Sequence, residues 1–126
     1  MTLVKIVPVL GTVVMLGVIV QLVLGFQIAD AEAKNLIGPH LMIGILGLIL
    51  VLILSIISFR TASATMHSKL VMTILTILVL LQVLLGFQLL RGFESLGASH
   101  EAIGFLILIL TLVTGALTMR SARKQG

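Results

Sequence analysis

Residues 20–44 read VQLVLGFQIADAEAKNLIGPHLMIG, and residues 81–104 read LQVLLGFQLLRGFESLGASHEAIG. The two segments follow one plan. Each carries an apolar run to Gly-Phe-Gln, crosses a short polar loop and enters a second apolar run through His-x-x-Ile-Gly. The histidines are His40 and His100. Histidine is rare inside membrane-spanning segments and usually functional there. Two of them at matched positions of a repeat point to one site built from both halves.

Working outward, the rest of the chain is equally apolar. Hydrophobic residues make up 60% of the 126 positions and charged residues 10%. A helix crosses a bilayer with about 20 mostly apolar residues. Four such runs are present, at roughly 3–28, 39–59, 70–90 and 102–119. The expected fold is all-α: an integral membrane four-helix bundle of two tandem helix hairpins. It forms one domain over residues 1–126, with repeat one at about 1–60 and repeat two at about 61–120. The first run is too long for a cleavable signal peptide, and no good cleavage site follows it. There are no cysteines. This removes disulfides, thiolate chemistry, iron–sulfur ligation and covalent haem attachment.

Charge sets the expected topology. Lys5, Arg60, Lys69, Arg120, Arg123 and Lys124 fall at the termini or in the middle loop, and Lys34 and Arg91 in the other two loops. Cytoplasmic segments collect Lys and Arg, so both termini are expected in the cytoplasm of a cell-membrane protein. All four acids, Asp30, Glu32, Glu94 and Glu101, fall on the opposite side. The net charge of +4 is distributed by loop and terminus, which argues against nucleic acid. Among the helix ends, Pro39 suits the first turn of helix two. Ser99 is expected to cap helix four, with Glu101 in its first turn, and Thr65 or Ser63 to cap helix three. Pro8 either kinks helix one or marks its first turn.

Two hairpins of the same orientation are related by an axis along the membrane normal. That axis sets His40 and His100 at one depth, near the outer face, on facing helices. Two imidazoles converging across a bundle core match the needs of one non-covalent haem b with His40 and His100 as its metal ligands. Gly44 and Gly104 lie four residues after the histidines, on the same helix faces, where a flat macrocycle needs small residues. Gly25 and Gly86 supply small positions late in helices one and three; taken alone, they read first as helix-packing glycines. Lys34 and Arg91 are candidate partners for haem propionates, or interfacial anchors. Gln21 and Gln82 read as interhelical hydrogen-bond partners. His67, on the cytoplasmic side, has Ile6 as its repeat equivalent and reads as a solvated histidine. Met15 and Met42 are weaker axial-ligand alternatives.

The segment LQVLLGFQLLRGFESLGASHEAIGFLILILTLV resembles a helix pair of the heme A synthase family, and the whole chain resembles one of that family's two fused four-helix bundles. The resemblance implies histidine ligands from the second and fourth helices, and His40 and His100 match those positions. Three departures bear on activity. Ile37 stands where the family's catalytic bundle has a Glu three residues before the second-helix histidine. Leu41 stands where an Arg usually follows that histidine. The family's outer-loop cysteine pair is missing. The resemblance therefore implies haem binding more strongly than haem oxidation.

Three function classes follow. The first is a small cytochrome b, or haem subunit of a respiratory complex, embedded in the lipid bilayer; its protein partners would be respiratory oxidase subunits or a second copy of the chain. The second is a minimal heme A synthase-like enzyme. The third is a cofactor-free structural membrane subunit. The first is preferred, as an electron carrier rather than a stand-alone catalyst.

Overall fold

The structure, a computed structural model, describes residues 3–29, 33–61 and 65–123, with side chains described over 7–29, 33–61 and 65–116. Asp30, Glu32, Ser63 and Lys124, and the side chains of Lys5, Arg120 and Arg123, lie outside this description. The described residues form four long helices: α1 Leu3–Ala29, α2 Ile37–Arg60, α3 Met66–Leu90 and α4 Gly97–Arg123. A short 3-10 turn leads into the second helix of each hairpin, at Lys34–Leu36 and Glu94–Leu96. All four helices are long and apolar enough to cross a membrane.

Three helices begin earlier than their apolar runs. Helix α3 starts at Met66, where the Thr65 hydroxyl accepts a hydrogen bond from the Ser68 N–H at 3.2 Å and caps the polar first turn. Helix α4 starts at Gly97, which corrects the expected cap: Ser99 lies inside the first turn, and Glu101 lies beyond it. The physical reason is the preceding 3-10 turn. It delivers Gly97 already in right-handed helical geometry (φ −55°, ψ −51°), with its N–H bonded to the Glu94 carbonyl. No loop residue is left to act as cap. Helix α2 likewise starts at Ile37 with Pro39 in its first turn, where an N–H lacks an intrahelical partner in any case. Pro8 lies inside α1, past the first turn, and the Thr12 hydroxyl donates to its carbonyl at 3.0 Å.

The end of α3 uses a glycine for its conformation. Gly92 has φ +91°, which a side-chain-bearing residue adopts only with strain. Its N–H bonds Leu89 O at 2.9 Å, and the Phe93 N–H bonds Gln88 O at 3.2 Å. This paired closure satisfies carbonyls that a helix end otherwise leaves open.

The helices pack in a ring in chain order, α1 against α2, α2 against α3, α3 against α4 and α4 against α1. Helices α2 and α4 therefore face each other diagonally. The buried core is small: Val14, Val51, Leu54, Leu75, Val79 and Ile107. It lies near the middle of the helices. Beside it the Ser55 hydroxyl donates to Thr76 Oγ1 at 2.6 Å, tying α2 to α3, while Thr76 donates to the Met72 carbonyl at 2.8 Å. The outer surface is apolar, with Leu16, Val23, Leu46, Ile77, Leu84 and Ile109 all more than half exposed.

Candidate functional site

The bundle is open between its helices toward the 3-10 turns. A cleft of about 810 Å³ runs down between the helices, with Val14, Val51, Leu75, Val79 and Ile107 as its floor. Small-molecule and cofactor pockets typically fall between about 300 and 1,000 Å³. Its walls are mostly aliphatic. The polar side chains that line it are those of His40, His100, Gln21, Gln82, Glu94 and Glu101.

Each histidine is placed by its helix start. His40 and His100 are both the fourth residue of their helices, so the 3-10 turns deliver them at matching heights. The ring order puts their helices on the diagonal. The imidazole centroids lie 6.2 Å apart with the ring planes at 61°. Both rings are half-buried. A metal held between two imidazoles by bonds of about 2 Å sets trans ring centroids about 6 Å apart. The same separation suits an edge-to-face ring contact.

Glycines make room for this arrangement. A Cβ at Gly25 would lie 3.6 Å from His40 Cε1, and one at Gly86 would lie 3.4 Å from His100 Cε1. These positions back the two imidazoles. Gly44 and Gly104 also line the cleft, but the room they leave is not open to a macrocycle. A Cβ at Gly44 would meet the Gln21 amide nitrogen at 2.6 Å, and one at Gly104 would meet that of Gln82 at 3.2 Å. The glutamines lie over the glycines because each must reach across to the neighbouring helix for a partner. Gln21 donates to the main-chain carbonyl of His40 at 2.8 Å. Gln82 Nε2 lies 3.3 Å from His100 Nε2. Both contacts are interhelical.

Several buried polar atoms have no partner among the described residues: Nδ1 of His40 and of His100, and Oε1 of Gln21, Gln82 and Gln88. Leaving a buried polar group unpaired costs about 1–3 kcal/mol, and all of these but Gln88 belong to residues that line the cleft.

The other candidate residues are spread around this centre. Lys34 and Arg91 are exposed at the rim, and neither lines the cleft. The carboxylate-bearing residues that do line it are Glu94 and Glu101. Met42 is 73% exposed and Met15 does not line the cleft, so neither is placed to ligate a group within it. His67 is exposed in the first turn of α3, at the other end of the bundle. Sequence reasoning missed Gly17 and Gly47. Both line the cleft, and a Cβ at either would meet nothing within 4 Å. They widen the cleft below the histidines. Their signal was available: the corresponding positions of the second segment are the bulkier Leu78 and Ile107.

Comparison with known protein families, curated proteins and solved structures returned no match.

Proposed function

We propose that this chain is a multi-pass cell-membrane protein that binds one haem b between His40 and His100 and relays electrons, as a small cytochrome b or the haem subunit of a respiratory complex. The single observation that carries the reading is the pair of half-buried imidazoles, 6.2 Å apart on diagonal helices, in a mostly aliphatic cleft of about 810 Å³.

The residues fit such a group. A bare structural zinc ion takes four protein ligands, and a catalytic one three. Among the described residues no cluster of three or more His, Cys, Asp or Glu exists. A haem brings four in-plane nitrogens and asks only two ligands of the protein. The imidazoles of His40 and His100, 6.2 Å apart in the cleft, are suited to that role. Gly25 and Gly86 let the imidazoles lie close against α1 and α3. Aliphatic walls exclude water from the centre. Bound there, a haem supplies one-electron redox chemistry. Lys34 and Arg91 at the rim are in reach of solvent, where propionate-sized anions would emerge.

An apolar exterior of this kind suits lipid as solvent. The six-to-two split of Lys and Arg supports cytoplasmic termini and a haem near the outer face. The matched segments at residues 20–44 and 81–104 support two tandem hairpins as the origin of the paired histidines.

Electron relay is favoured over oxidation of a haem substituent. Such oxidation needs a positioned acid or base. Ile37 lines the cleft where the resembling family has a Glu, and Glu94 and Glu101 are exposed. Spectra of purified variants test the proposal. His40→Ala or His100→Ala abolishes or grossly alters the haem absorption, and His67→Ala leaves it intact. Loss of the signal in His67→Ala with retention in both others would overturn the ligand assignment.

A further inference from the structure

Gln21 and Gln82 occupy matched positions, yet they do different things. Gln21 spends its amide hydrogen on the His40 main-chain carbonyl at 2.8 Å. Among the described residues no side chain donates to either ring nitrogen of His40, so in either neutral tautomer one lone pair is free. Gln82 reaches the ring itself, with 3.3 Å between the two nitrogens. A side-chain NH2 only donates, so His100 Nε2 is the acceptor and the ring proton lies on Nδ1. In this arrangement His100 has no free lone pair. Packing explains the difference. Leu22 Cδ2 lies 3.5 Å from where a Gly104 Cβ would be, sharing the notch with Gln82. The matching notch at Gly44 holds Gln21 alone, because the residue corresponding to Leu22 is the shorter Val83.

We propose that Gln82 is a positioning residue that makes the two imidazoles inequivalent: His40 is the standing axial ligand, and His100 is a replaceable one whose place a small neutral diatomic molecule can take. The inference rests on the haem reading above. For His100 to ligate, Gln82 must first withdraw from Nε2. Every ligand bond from His100 therefore competes with a hydrogen bond, and that side is the weaker one. No side chain donates to the His40 ring in this way.

Carbon monoxide is the probe. The full-length, haem-loaded protein is reduced in detergent and titrated with carbon monoxide while the absorption is followed. Wild type binds it. Gln82→Leu and the more conservative Gln82→Met remove the competitor, so His100 holds its place better. Carbon monoxide affinity then falls about two- to tenfold, the value of one hydrogen bond, with haem content unchanged or raised. His67→Ala, at the far end of the bundle, leaves the affinity within about twofold. A reduced, haem-loaded wild type that excludes carbon monoxide overturns this inference and leaves the haem reading standing. So does tighter or unchanged carbon monoxide binding in both Gln82 variants, an equal fall in His67→Ala, or reduced haem content in both Gln82 variants. A wild type that takes up no haem overturns both proposals.

Discussion

At His40 and His100 the positions of single atoms decide what a substitution does. A methyl group at Gly44 would lie 2.6 Å from the Gln21 amide nitrogen, so that amide must move and its bond to the His40 carbonyl is lost. We expect Gly44→Ala to destabilise the protein by about 0.5–1.5 kcal/mol, the net value of one hydrogen bond. At Gly25 the methyl would meet His40 at 3.6 Å, an ordinary contact, so Gly25→Ala is expected to cost less. Reversible unfolding in detergent mixtures compares the two, and a larger loss for Gly25→Ala contradicts the placement of Gln21. The proximity of His40 and His100 was legible from the matched His-x-x-Ile-Gly spacing, because helical period and hairpin orientation alone bring such positions to one level. The separate tasks of Gln21 and Gln82 were not. They depend on whether Leu22 or Val83 stands beside each notch, which is a matter of packing rather than of pattern.

Among the helices, the polar ties are few and their contributions separable. Thr65→Ala removes the cap of α3 and is expected to cost about 1 kcal/mol. Ser55→Ala removes the α2–α3 hydroxyl bond, for which about 0.6 kcal/mol is typical between helices in lipid. The sites are distant, so the double variant should show the sum of the two losses, measured by the same unfolding equilibrium. Strong coupling between them would mean that the α3 start and the α2–α3 contact form as one unit. Helix number and approximate place were legible here from length and hydropathy. The apolar runs begin inside α2, α3 and α4, because counting apolar residues passes over first turns such as Met66-His67-Ser68-Lys69 and Gly97-Ala98-Ser99-His100. Thr65 carried a usable capping signal. Ser99 carried the same signal, but the 3-10 turn ahead of it had already begun the helix.

Over the molecule as a whole, the cleft opens toward the 3-10 turns and the buried core lies beneath it at mid-bundle, and this division frames both orientation and activity. Cysteine placed at Ala33 or Gly92, in the loops at the open end, should react with an impermeant reagent from outside the cell. Labelling from the cytoplasmic side alone would reverse the proposed topology. Coexpression with a haem O source, in a host lacking its own synthase, should yield no haem A that depends on this chain; its appearance would promote the enzyme reading over the electron carrier. The central claim is that the cleft holds a haem between two histidines. A reduced-minus-oxidised absorption spectrum of wild-type protein, purified from cells replete in haem, tests it most directly. The account predicts the sharp, reversible difference bands of a low-spin, bis-histidine b haem. A folded protein with no such signal would contradict it.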